Sequence, residues 1–127
     1  MKSRAEKLTR MVALMKLQLQ LSEWQLAHLR QRQQDLQADE VWLVGALNEP
    51  RPPAGSSSES IARRLATTGL GVRTVQAEAE KQIDQVRSQS RRVKHLEQVA
   101  RTALAGKLRE ADMRSLEEIV AVHPVAR

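Results

Sequence analysis

The 127-residue sequence contains no cysteine, no phenylalanine and no tyrosine, and it has only two tryptophans. Without cysteine it can form neither a disulfide nor a thiolate metal site, and this composition suits a reducing compartment. So few aromatic side chains argue against a thick globular core. The length allows at most one domain.

Long apolar runs are also missing. The longest, residues 41–47, is far shorter than the roughly 20 residues that a membrane-spanning helix needs. The amino terminus is basic, but Lys16, Gln18 and Gln20 interrupt the segment behind it, so no signal peptide is predicted. We therefore expect a cytoplasmic protein.

Strong helix formers dominate what is present, and apolar residues recur in two stripes with alternating steps of four and three. The first stripe consists of Leu8, Val12, Met15, Leu19, Ser22, Leu26, Leu29, Gln33, Leu36, Glu40, Leu43 and Leu47. The second consists of Ile61, Leu65, Thr68, Val72, Val75, Ala79, Gln82, Val86, Gln89, Val93, Leu96, Ala100 and Ala103. Such heptad stripes predict two helices that pair along a common seam.

The predicted fold is all-α: a long antiparallel two-helix coiled-coil hairpin that forms a single domain over residues 1–127. Helix 1 is expected over about 5–47 and helix 2 over about 59–122, where His123 and Pro124 end it. A connection rich in Pro, Gly and Ser, residues 48–58, separates them. Ser56 and Glu59 have the spacing of a capping box. Gly69 and Gly71 predict a kink or a break in helix 2, and a break would leave residues 57–68 as a short middle helix.

Pairing Leu47 with Ile61 sets the register, which then places Leu43 opposite Leu65 and Leu36 opposite Val72. Beyond Ala103 the seam positions of helix 2 become charged, where this register reaches Ala5 of helix 1. A rod of this kind is expected to have no pocket, so its function must lie on its surfaces and ends.

A second apolar stripe on helix 1 points away from the seam and predicts a protein contact. Its members are Leu14, Leu17, Leu21, Trp24 and Trp42, the last of which follows Trp24 by five whole helical turns. A third helix of the same chain, a second copy and a different protein are all compatible with this stripe.

The end of helix 2 is a second candidate surface, because its apolar residues continue after the seam has ended. They are Leu104, Leu108, Met113, Leu116, Ile119 and Val120. The alternative is a frayed end that packs loosely on the amino terminus.

The sequence predicts no catalytic, cofactor-binding or metal-binding residue. His28, His95 and His123 are too scattered for a metal site, and no serine has a base positioned beside it. The net charge of +6, with basic patches at Arg63-Arg64 and Arg91–Lys94, could suit phosphates or an acidic protein surface, but a solvated coiled-coil face is the commoner interpretation of such charges. The scarcity of aromatics argues against a nucleic-acid partner.

The opening Met1-Lys2-Ser3-Arg4, with Leu8-Thr9-Arg10 and Lys16-Leu17-Gln18 behind it, resembles FliJ-type flagellar export proteins. The basic helical hairpin and the closing segment Leu116-Glu117-Glu118-Ile119 are similar as well, and the related stalk protein of injectisomes is equally compatible. The resemblance implies a non-enzymatic, cytoplasmic component of the type III export apparatus. Its coiled coil would associate with the export ATPase, and it would also contact the membrane export gate and substrate chaperones.

Within that role, we expect the basic residues that gather where the two termini meet to contact the ATPase. They are Lys2, Arg4, Lys7, Arg10, Arg101, Lys107 and Arg109. A structural homo-oligomeric coiled coil, formed through the Leu/Trp stripe, is the main alternative. A basic helical protein associated with nucleic acid is another.

Overall fold

The computed structural model describes residues 3–122, which form two α-helices and no β-strand in that range. Helix α1 spans Arg4–Leu47 and contains 44 residues. Helix α2 spans Ser58–Val122 and contains 65 residues. The two long helices pack against each other, so the predicted all-helical hairpin is confirmed.

A serine side chain caps the amino-terminal end of each helix. Ser3 Oγ accepts a hydrogen bond from the Glu6 backbone N–H at 3.2 Å, and Ser57 Oγ accepts one from the Ser60 N–H at 3.1 Å. Each bond satisfies a backbone donor that has no partner within the first helical turn. The predicted capping box of Ser56 and Glu59 is therefore wrong by one residue, and the Glu59 carboxylate instead binds Arg63 at 2.8 Å.

The turn before α2 explains that shift. Gly55 has a φ of +80°, and the Ser56 N–H donates to the Pro53 carbonyl at 3.0 Å. A residue with positive φ at the third position of a β-turn favours glycine. Because Ser56 closes this turn, Ser57 is the residue left to cap the helix.

The chain divides into two compact units. The loop unit is Gln20–Arg87, and the termini unit is Met1–Leu19 with Ser88–Arg127. The core of the loop unit lies beside the interhelical connection, where Leu43, Ala46 and Ile61 are buried and Leu47 and Leu65 pack against them. Leu43 and Ile61 are each only 1% exposed.

Contacts within the loop unit follow the predicted antiparallel register. A Cβ placed on Gly71 would lie 3.6 Å from Leu36 Cδ1, one residue from the predicted partner Val72. Farther from the connection, the Gln82 side-chain amide donates to the Ser22 carbonyl at 3.0 Å. Higher numbers on α1 thus meet lower numbers on α2, as an antiparallel pair requires.

The termini unit shows the same direction of pairing. Lys16 Nζ lies 3.6 Å from a Glu97 carboxylate oxygen, and Lys107 Nζ lies 3.3 Å from Glu6 Oε1. Ala5, Val12 and Val93 are buried in this unit.

Every predicted seam residue of both stripes is buried or part-buried. The heptad pattern therefore identified the packed face of each helix. Ala5 and Ala46 are also buried, although neither belongs to the predicted stripes.

Helix α2 runs unbroken through Gly69 and Gly71. The alternative of a short middle helix over residues 57–68 is therefore wrong. Glycine lowers helix propensity by about 1 kcal/mol, but here both glycines are part-buried and face α1, where Glu40 and Leu36 approach them. Packing against α1 offsets their weak propensity.

Candidate protein-interaction surfaces

The predicted leucine–tryptophan face lies on α1 and is defined as Leu14, Leu17, Leu21 and Trp24. Each of these four side chains is exposed. Leu14 and Leu17 belong to the termini unit, with 63% and 61% of their surface accessible, and Met11 beside them is also exposed. Leu21 and Trp24 belong to the loop unit, where Trp24 is 64% exposed. Large apolar side chains this open are typical of surfaces that contact another molecule.

Trp24 has one neighbour that the sequence analysis did not assign to it. The His28 ring stacks on the indole, with ring centroids 5.7 Å apart and planes inclined by 10°. Because His28 lies one helical turn after Trp24, their i,i+4 spacing was the available signal. The imidazole lies against one side of the indole, and Trp24 remains 64% exposed.

Trp42 lies near the end of α1 and is exposed together with Val41 and Val44. Its indole borders a small open groove of about 280 Å³, which Gly45, Ala46, Glu49 and Pro53 also line. Apart from the adjacent residues and the local helix backbone, no heavy atom of the described residues lies within 4 Å of where a Gly45 Cβ would stand, so the backbone beside the indole is open. The two valines extend the predicted site around Trp42.

Six of the seven predicted ATPase-contact residues lie within the described chain, and Lys2 lies outside the described residues. All six are exposed and belong to the termini unit. Arg4 and Lys107 line one groove, and Arg10 and Lys107 line another. The structure thus brings three of the six around shared grooves, while Lys7, Arg101 and Arg109 line neither.

These grooves correct the expectation that the hairpin has no pocket. The larger has a volume of about 710 Å³ and lies between the start of α1 and residues 95–110 of α2; the smaller, of about 340 Å³, is bordered by Thr9 and Leu104. The larger forms where small residues meet, Ala5 on α1 with Ala103 and Gly106 on α2. Small side chains at facing positions leave the helices incompletely filled between them.

Lys107 has partners within this unit. Its ammonium group pairs with Glu6 at 3.3 Å and donates to Ser3 Oγ at 3.5 Å. Both groups of the ion pair are about half exposed, so the pair contributes little to stability. Its geometric effect is to hold the Lys107 charge beside the start of α1.

The α2 tail, defined as residues 101–122, remains helical to Val122. Every residue from 107 to 122 is exposed. The predicted apolar residues from Leu108 to Val120 are therefore exposed on an intact helix, whereas Leu104 borders the smaller groove beside Thr9. A loosely packed, frayed end is not what the structure shows for this segment.

Among residues 3–122, no three His, Asp or Glu side chains converge as a metal site would require. Within the same range, neither helix contains a stretch with the length and hydrophobicity that a bilayer crossing requires.

Comparison with known proteins adds no assignment: the chain matches no protein family, no curated protein and no solved structure.

Proposed function

We propose that this chain is a non-enzymatic coiled-coil component of a type III protein export apparatus, most simply the flagellar one. In this role it associates with the export ATPase, and with the export gate or chaperones, from the cytoplasmic side of the membrane. The resemblance of its first twenty residues and of its closing segment to FliJ-type proteins motivates the assignment. The antiparallel hairpin fits the stalk-like architecture that the resemblance implies.

The observation that carries the proposal is the exposure of Leu14, Leu17, Leu21 and Trp24 on a helix whose seam residues are buried or part-buried. One helix thus has two apolar faces, of which the hairpin uses one. Leaving a tryptophan and three leucines in water does not stabilise a monomeric domain. Burying the same side chains against a partner stabilises a complex. The second face supports a role in protein contact.

The basic residues of the termini unit support an acidic partner surface. Arg4, Arg10 and Lys107 line adjoining grooves that Glu6 and Glu110 also border, so basic side chains outnumber acidic ones in each groove. Clustered charge of one sign steers a partner of the opposite sign and sets the salt dependence of the association rate. An acidic lining of an ATPase ring is the partner that fits the proposed role.

Charge reversal tests the ATPase contact. Arg4→Glu/Arg10→Glu should abolish co-purification with the export ATPase, or stimulation of ATP hydrolysis, at physiological salt. The matched control is Arg30→Glu/Arg32→Glu, which changes the charge equally at exposed positions of the same helix. Equal behaviour of the two variants, or no association of the parent chain with a flagellar or injectisome ATPase, would count against the proposal.

The leucine–tryptophan face has its own test. Trp24→Ala should weaken binding of the partner by about tenfold or more, because buried tryptophans dominate interface energetics. The free energy of unfolding should change by less than about 0.5 kcal/mol, since the indole is exposed in the free chain. Leu70→Ala, at an exposed position of α2, is the control and should bind normally. A parent chain that forms a stable trimer or tetramer in light scattering, without ATPase affinity, would favour the structural homo-oligomer instead.

A further inference from the structure

The α2 tail carries a charge pattern of which the proposed function uses only the basic part. Residues 101–109 contain three basic side chains and no acidic one, whereas residues 110–118 contain four acidic side chains and one basic one. The basic residues are Arg101, Lys107 and Arg109, and the acidic ones are Glu110, Asp112, Glu117 and Glu118. The tail is therefore divided into a positive half and a negative half of nine residues each.

The same segment has an uncovered apolar face. At 100° per residue, Leu104, Leu108, Leu116 and Ile119 fall within an arc of about 120°, and Met113 and Val120 widen it to about half of the circumference. All six side chains are exposed. By the same count Arg101, Arg109 and Asp112 also fall within this half of the circumference, so the face combines apolar side chains with charges available to a partner.

We infer that the α2 tails of two copies of this chain pair antiparallel, with the copies crossing near Arg109 and Glu110. A twofold axis at this point sets the positive half of each tail against the negative half of the other, as a self-complementary isologous contact requires. This axis sets Arg101 opposite Glu118 of the second copy, while Arg109 lies within two residues of its Asp112 and Leu104 within one residue of its Leu116. A parallel pairing sets like charges side by side, so the charge pattern selects the antiparallel arrangement.

Two internal ion pairs do not compete with this arrangement. Arg114 lies 3.8 Å from Glu110 within the tail, and Lys107 pairs with Glu6. Arg101, Arg109, Asp112 and Glu118 are all exposed and belong to neither pair. These four residues therefore allow the charge pattern to be reversed without breaking either pair. The inference does not depend on the export ATPase.

A mixing experiment tests the inference on the full chain by sedimentation equilibrium. The parent chain should show a reversible monomer–dimer equilibrium. Arg101→Glu/Arg109→Glu makes both halves of the tail acidic, and Asp112→Arg/Glu118→Arg makes both basic. Each variant alone should dimerise at least about tenfold more weakly, since two symmetric contacts become repulsive at once. An equimolar mixture of the two should recover the parent affinity as a heterodimer, because opposite charges again face each other.

Apolar substitutions show which face carries the dimer. Leu108→Ser/Leu116→Ser should abolish dimerisation, whereas Leu14→Ser/Leu17→Ser, at side chains exposed to nearly the same extent on α1, should not. Far-UV circular dichroism of each variant confirms that the hairpin persists. A parent chain that stays monomeric at every concentration, a mixture without recovered affinity, or loss of the dimer only in the α1 variant would each overturn the inference.

Discussion

The core of the loop unit and the α2 tail contain the same kinds of residue but differ in what surrounds them. Leu43 and Ile61 are almost completely buried against each other beside the connection, while Leu116 is 57% exposed on an intact helix. Both segments are strongly helical and both are amphipathic. The difference shows that in this chain helix formation and burial are separable, and that an apolar stripe predicts a contact without saying which molecule supplies it.

The polar and charged residues of the two regions also differ in whether their partners lie within the chain. In the loop unit the seam passes through polar positions such as Gln82, whose amide is bonded across to α1. In the tail the charges are sorted by sign along the helix instead. A sorted pattern contributes little to a single helix but strongly to the choice of a partner.

The largest expected effect comes from truncating the core of the loop unit. Leu43→Ala should lower the free energy of unfolding by about 2–5 kcal/mol, because it removes a buried side chain and leaves a cavity. Leu116→Ala, measured in dilute solution, should change it by less than about 0.5 kcal/mol. Urea denaturation followed by circular dichroism compares the two. Equal losses would show that the tail is packed as tightly as the core.

A smaller effect of opposite sign is expected at a glutamine of the seam in the termini unit. Gln89 Oε1 is buried without a hydrogen-bond partner among the described residues. Gln89→Leu should therefore raise the free energy of unfolding by about 1–3 kcal/mol, since it removes an unsatisfied acceptor and adds apolar contact.

Gln82→Leu is the matched control for that substitution. The Gln82 amide nitrogen donates to the Ser22 carbonyl and lies 3.3 Å from Gln25 Oε1. Replacing Gln82 therefore removes hydrogen bonds across the seam, whereas replacing Gln89 removes an oxygen that has no partner among the described residues. Thermal melting of both variants should show a higher midpoint for Gln89→Leu only. A parallel rise in both variants would contradict the assigned hydrogen bonding.

The smallest expected effect concerns the start of α2. Ser57→Ala should cost about 1 kcal/mol, because the Ser60 N–H loses its acceptor. Ser56→Ala should be close to neutral, since only the backbone of Ser56 takes part in the turn. Chemical denaturation of the two variants separates them. A larger loss for Ser56→Ala would reinstate the capping box that the sequence predicted.

Much of the fold follows from the heptad pattern, because the spacing of four and three specifies which residues of a helix can face a neighbour. The register ended at Ala5, which is buried, but the pattern missed Ala46, which falls between the seam positions Leu43 and Leu47. The alternative of a helix break at Gly69 and Gly71 was wrong, because packing against α1 outweighs local propensity there. The cap at Ser57 depends on the turn geometry around Gly55, and adjacent serines look equivalent in a sequence.

For the candidate surfaces, the sequence predicted which side chains are exposed but not which partner they bind. The positions of Leu14, Leu17, Leu21 and Trp24 off the seam follow from counting residues around a helix. The stacking of His28 on Trp24 depends on side-chain rotamers, and the grooves beside Arg4 and Arg10 depend on how closely the helices approach. Neither is encoded in a hydrophobic pattern. The identity of a partner depends on a second surface that this chain does not contain.

Hydrogen–deuterium exchange of the dilute free chain tests most directly whether the core of the loop unit is buried while the α2 tail is not. Amides around Leu43 and Ile61 should remain protected at times when those of residues 110–122 have exchanged completely, because only the former open with the cooperative core. Equal protection of the two regions, under conditions where the chain is monomeric, would contradict the claim that the tail is left uncovered for a partner.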